Sequence, residues 1–234
     1  MSLLPDLRHR SREPELLDAG VGAEETARSL ADLRLVNRLF AGRRRLLAAV
    51  RPHLEDEGRL LDVGCGSGDM PHFLGRRLAP APFAVGLDVK RSHLLDVPDS
   101  VRPVVADVQA LPFPDAAFDV VTASLLLHHF DEGDLAPVLR GLYRVTAGAL
   151  VVSDLHRAAV PYLFGQAAFP LLFQSPVSVH DGLVSIRRGF HPGELREAFE
   201  EAGIGQVRIS RHFPYRLLAV ATRRTHAGGR EVEA

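Results

Sequence analysis

The chain has 234 residues, 46% of them hydrophobic, enough to bury a sizeable core within a single domain. Its 28 basic and 29 acidic residues leave a formal net charge of −1, so composition carries no general attraction to nucleic acid or an anionic membrane. Cys65 is the single cysteine, which rules out an internal disulfide and a multi-cysteine metal site.

Residues 1–58 read as a lead-in followed by cover helices. The first fourteen are polar and Arg-rich and end near Pro14, the pattern of a mobile segment. Between Glu24 and Val50, Leu30, Leu33, Leu35, Val36, Leu39, Phe40, Leu46 and Leu47 recur on a helical period that breaks near Gly42, predicting two helices. These helices either cover a ligand or pack on the sheet, and Asn37-Arg38 at the end of the first could reach a site. The N-terminus lacks the apolar core of a signal peptide, and no uncharged run of about 18 residues free of helix breakers appears, so a cytoplasmic protein without stable membrane insertion is expected.

The run Leu60-Leu61-Asp62-Val63-Gly64-Cys65-Gly66-Ser67-Gly68-Asp69 is an apolar strand that breaks into three alternate glycines between two acids. Glycine has no Cβ, so such a loop turns with positive φ and lets a ligand approach the backbone. A dinucleotide fingerprint needs glycine at position 69, where Asp69 stands, and a pyrophosphate would be repelled by Asp69 and Asp62. A cationic ligand would be attracted. Phe83 to Asp88 reads as a second strand ending in an acid about 20 residues further on, the spacing of a ribose-binding carboxylate. Val101 to Ala106 is a third strand with Asp107-Val108 at its end. Phe118 to Ala123 is a fourth, followed by Ser124 and the run Leu125 to Phe130, and Ala149 to Asp154 is a fifth. Strands alternating with helical stretches indicate an α/β, doubly wound parallel sheet, in which ligands bind beyond the carboxyl ends of the strands.

The segment 156–190 is about 30 residues longer than a simple strand-to-helix connection requires, and inserts of that kind are often functional. Its first part, Ala158 to Phe173, is apolar and aromatic on most sides, as in the wall or lid of a hydrophobic pocket. Helix burial or a homodimer interface would explain the same pattern. Gly205–Ser210 and Arg216–Thr222 form a terminal hairpin around His212 to Tyr215. The polar, Gly-rich stretch 224–234 is expected to be disordered.

The segment Leu61–Asp69 and the acids at successive strand ends resemble the class I S-adenosylmethionine-dependent methyltransferases over about residues 59–223. That resemblance implies a Rossmann-like, seven-stranded, mostly parallel sheet with an antiparallel last strand, and S-adenosyl-L-methionine as cofactor. It places Asp62, Gly64, Cys65, Gly66, Gly68, Asp88, Val89, Asp107, Val108 and Ser124 at the cofactor. The stretches Pro14–Asp18, Asn37-Arg38, Leu126–Asp131 and His180–Gly182 resemble a narrower bacterial group often accompanying polyketide synthases. It implies a phenolic or polyketide-derived small-molecule acceptor methylated on oxygen. Carbon methylation of a quinone or polyketide precursor is the alternative, and RNA or protein methylation lacks a basic patch or an N-P-P-Y type signature.

A phenol titrates near 10, so a base near neutrality would raise the reactive fraction, and histidine fits. His128, His129 and His156 follow the fourth and fifth strands and are the candidates. On a helix, adjacent residues diverge, so His128 and His129 are not expected to face one atom. The histidines show neither H-E-x-x-H nor cysteine-paired spacing, so no metal is expected. His180-Asp181 is either a second polar feature of the site or a local turn.

Overall fold

The strands are β1 (Arg59–Val63), β2 (Phe83–Asp88), β3 (Val101–Val105), β4 (Phe118–Ser124), β5 (Thr146–Leu155), β6 (Val207–His212) and β7 (Arg216–Thr222). They form one sheet ordered β3-β2-β1-β4-β5-β7-β6, parallel throughout except that β7 runs antiparallel to β5 and β6. The computed structural model describes residues 5–39, 42–54 and 57–223. Leu60, Leu61, Val120, Val121 and Leu150 to Val152 are fully buried on both faces of the sheet, as expected where helices cover each side of parallel strands.

Eight helices surround the sheet among the described residues: α1 (Leu16–Ala19), α2 (Ala23–Leu39), α3 (Gly42–Val50), α4 (Asp69–Gly75), α5 (Glu132–Arg144), α6 (Ala159–Leu172), α7 (Pro176–Arg188) and α8 (Pro192–Glu201). One face buries Leu139, Leu142, Leu195 and Phe199 of α5 and α8 against Leu61, Val121 and Leu150. The other packs Leu46 and Val50 of α3 and Leu74 of α4 against Leu60, Val120 and Val151. Chain order reverses between β1 and β4, creating the crevice at which such sheets bind ligands.

The insert is a helical hairpin. Ser175 caps α7 by accepting from Ser178 N at 3.1 Å, and Pro176 supplies the preset φ of a first helical residue. Its base is closed by Phe190 N to Leu155 O (2.9 Å) and Arg157 N to Phe190 O (3.0 Å). Gly165 and Gly182 let α6 and α7 close on the Phe169 ring, since a Cβ at either would stand 2.8 Å from a ring carbon. α6 buries only Gly165 and Phe169, so it is a wall and not a core helix.

The N-terminal segment departs from expectation. Residues 5–20 run as a strap across the insert instead of a mobile lead-in. Arg10 donates to the carbonyls of Arg188 (2.9 Å) and Phe130 (2.9 Å) and sits 4.3 Å over the Phe190 ring. The fully buried Arg157 donates to Leu7 O at 2.9 Å and pairs with Glu194. Arginine density read as a sign of solvation, but these guanidiniums satisfy carbonyls left open at element ends. The tail expectation, residues 224–234, lies outside the described residues.

Candidate functional site

The glycine loop is shaped by its ties to β2. Gly64 N and Cys65 N donate to Leu87 O (2.8 and 3.0 Å), and Gly66 N donates to Asp88 Oδ2 (3.0 Å). Gly64 and Gly66 adopt φ of +70° and +54°. A Cβ at Gly64 would meet Leu126 at 2.8 Å, whereas the space in front of Gly66 is clear to 3.8 Å, so the loop forms a shallow cradle.

Asp88 lies beside that cradle, 7% exposed. Its Oδ1 accepts from Lys90 N at 2.9 Å and lies 3.3 Å from His93 Nδ1. Burial pushes its pKa up, but His93 and the Lys90 and Gly66 amides outweigh it and hold the group below the usual carboxylate range. Asp107 caps the turn after β3 by accepting from Gln109 N (2.9 Å), with Val108 buried beneath.

A cavity of about 920 Å³ extends from this cradle to the insert. Of the residues expected at the cofactor, Gly64, Gly66, Asp88, Val89, Asp107 and Val108 line it, while Asp62, Cys65, Gly68 and Ser124 are not among its lining residues. Asp62 is buried below the loop on Thr122 Oγ1 (2.6 Å), and burial pushes its pKa up to about 7. Asp69 is tied to Arg43 at 2.7 Å. The two acids flanking the glycines therefore do not line the cavity, and of the carboxylates expected at the cofactor Asp88 and Asp107 do. Cys65 packs against Gly86, and burial raises its thiol pKa, as in a structural cysteine.

The other end assembles residues distant in sequence. Asp154, at the end of β5, accepts from Leu127 N (2.9 Å), Leu155 N (2.7 Å) and His128 Nδ1 (2.7 Å). His128 Nε2 lies 3.5 Å from Glu15 on the strap. Burial opposes charge on His128, yet Asp154 and Glu15 prevail and push its pKa up to about 9. An imidazolium has no lone pair to accept a proton, so at neutral pH His128 is a fixed cation and not a general base.

His128 and His129 also do not diverge. They occupy a 3-10 turn, Leu127–His129, and their rings lie 4.3 Å apart at 32°. His129 Nδ1 contacts Asp18 at 2.7 Å, and ligand atoms of Glu15, His128 and His129 lie within 4.8 Å of one another. With His128 protonated and both its ring nitrogens against carboxylates, the cluster is an ionic contact between strap and turn and not a ready metal site. Residue spacing concealed it because Glu15 arrives from the strap. His156 also lines the cavity, and burial, with Arg211, His191 and Arg157 nearby, lowers its pKa and keeps it neutral at physiological pH. Asp181 accepts from Leu16 N (2.8 Å) and Leu17 N (2.9 Å), so the His180-Asp181 pair anchors the strap. Asn37 is buried but is not a cavity-lining residue.

The insert wall presents Val160, Pro161, Phe164, Phe169, Phe173 and Ile186. No helix among the described residues is long and apolar enough to cross a membrane. Tested against S-adenosylmethionine, the cradle fits: Asp88 faces the cavity as an ionised acceptor suited to ribose hydroxyls, and Gly66 leaves room at the backbone.

The methyltransferase-domain family matches residues 60–148. A demethylmenaquinone methyltransferase of Roseiflexus castenholzii is 30% identical over 188 residues, covering 73% of this chain and 75% of that protein. A ubiquinone biosynthesis O-methyltransferase of Pseudomonas aeruginosa is 30% identical over 159 residues, covering 62% and 64%. The crystal structure of a SAM-dependent methyltransferase from Aquifex aeolicus has the same fold, with a TM-score of 0.63, 17% identity, and coverage of 87% of this chain and 99% of that one.

Proposed function

The chain belongs to the class I S-adenosylmethionine-dependent methyltransferases, and on that premise we propose that it methylates an oxygen of a small, apolar, aromatic or phenolic acceptor. The observation that carries this reading is one cavity of about 920 Å³ with the glycine cradle and Asp88 at one end and the apolar faces of α6 and α7 at the other. Such a volume accommodates a cofactor and a ring-sized partner together.

Asp88 accepts from the cofactor's ribose hydroxyls, with Val89 alongside. Gly64 and Gly66 receive its chain against the backbone, and Asp107 and Val108 flank its adenine. When bound, S-adenosylmethionine supplies an electrophilic methyl group on a sulfonium. The chain's own contribution is alignment and exclusion of water: Phe164, Phe169 and Ile186 dry the acceptor's environment and hold its oxygen in line. His156, uncharged at neutral pH, receives the hydroxyl proton on an imidazole nitrogen. His128 is a positioning residue that fixes Glu15, and with it the strap, over the cavity. His129, held by Asp18, completes that wall.

A quinone-type or polyketide-derived acceptor methylated on carbon is the second reading, supported by the demethylmenaquinone methyltransferases among the relatives. A labelled-methyl screen against 1-naphthol, reduced quinones and bulk RNA separates these readings. Label in a naphthyl ether is expected. Label confined to the RNA precipitate would overturn the small-molecule reading, and label on ring carbon would select the second.

A further inference from the structure

Arg216 begins β7 and lines the cavity at the opposite flank of the sheet from Asp88. It is 4% exposed, and among the described residues neither Nη1 nor Nη2 has a hydrogen-bond partner. A guanidinium is a fork of donors, and burying it unpaired is costly, which is why nearly all such groups in folded proteins are satisfied. Asp154 is the acid that acts on it electrostatically, but Asp154 already accepts from His128, Leu127 and Leu155. A second group stands nearby: Asn37 Oδ1, also buried without a partner among the described residues, lies 3.9 Å from where a Cβ on Gly42 would be, and Arg216 Nη2 lies 3.8 Å from the same point.

We propose that Arg216 binds an anionic oxygen group, a phenolate or a carboxylate, carried by the acceptor. This rests on the functional reading above and narrows its substrate class. The sheet order separates β2 from β7 by four strand spacings, roughly 19 Å, which assigns Arg216 to the acceptor end and not to the cofactor cradle. Its neighbours there, Leu155 and Tyr215, help exclude water, and a charge pair is strongest in such surroundings. The planar fork matches a carboxylate through two parallel bonds and a phenolate through one, a geometry lysine does not reproduce. Burial lowers the Arg216 pKa to about 10, against the pull of Asp154, so it stays charged at neutral pH.

The test uses the full chain saturated with S-adenosylhomocysteine and two matched probe pairs at pH 7.5, read by calorimetry. 1-Hydroxy-2-naphthoate against 1-hydroxy-2-naphthamide reports a carboxylate, and 4-nitrophenolate against 4-nitroanisole reports a phenolate. Preference for the anion by about tenfold or more is expected in at least one pair, and the pair that shows it names the group. Arg216→Met removes the preference and Arg216→Lys keeps part of it, with S-adenosylhomocysteine affinity unchanged in both. Should Arg216→Met not fold, as judged by its thermal transition, the wild-type pairs and Arg216→Lys decide. Equal binding within both pairs, or a preference that survives Arg216→Met, overturns the proposal. So does a tenfold loss of S-adenosylhomocysteine affinity in the Arg216 variants, which gives the guanidinium to the cofactor's own carboxylate. Failure of the methyl screen with an intact anion preference would instead sink the functional reading alone.

Discussion

At the glycine-loop end of the cavity, Gly64, Gly66, Asp88 and Asp107 sit at the ends of β1, β2 and β3 and owe their positions to parallel pairing of adjacent strands. At the insert end, Glu15, His128 and Asp154 come from the strap, the turn after β4, and β5, and meet only when the whole chain has folded. The first end is a consequence of the sheet. The second is an ionic network that helps hold the molecule together, so substitutions there should disturb stability before they disturb binding.

The largest expected effect is on Asp154→Ala. It strips the acceptor from three backbone amides, those of Leu127, His128 and Leu155, and leaves the His128 ring buried beside Glu15 alone, and breaking a buried pair of this kind costs about 3–5 kcal/mol. Calorimetric unfolding should fall by about 10 °C. A drop of only about 1 °C would show that the insert end is no more integral than the cradle.

A smaller effect is a pH dependence of stability with a defined sign. The folded-state pKa of His128 is raised to about 9, so its contribution is complete below the unfolded value near 6.5 and is lost as pH rises through about 9. Chemical denaturation at pH 6.5 and 9.5 should show lower stability at the higher pH, with much of the difference absent in His128→Gln. An identical slope in that variant would place the titration elsewhere.

The difference between the ends also explains what could be read from residue order. Contiguous apolar runs and the acid closing β2 mark the sheet and Asp88 because strand, loop and ligand-facing end are consecutive. Asp62 follows the same pattern, yet it faces Thr122 under the loop, and no local spacing reveals which carboxylate is covered. The His128-His129 pair was expected to diverge on an α-helical count, but a 3-10 turn brings the rings together. Arg10 and Arg157 look like solvated charge until their carbonyl partners, from distant segments, are in place. Arg216 looks like an ordinary strand-start cation, and its burial is a property of the assembled fold.

The smallest expected effect sharpens that lesson. Asp62→Asn keeps the contact with Thr122 and removes a carboxyl whose pKa burial has raised to about 7, so it should change S-adenosylhomocysteine affinity by less than about threefold. A loss comparable to that of a cavity-facing acid would return Asp62 to the site.

Calorimetric titration of S-adenosylhomocysteine into wild type, Asp88→Ala and Ile186→Ala addresses the division of the cavity most directly. Asp88→Ala should weaken binding by about a hundredfold through the loss of two charge-assisted hydrogen bonds, while Ile186→Ala, on the insert wall, should leave it nearly unchanged. Retained affinity in Asp88→Ala together with a large loss in Ile186→Ala would contradict the assignment of the two ends.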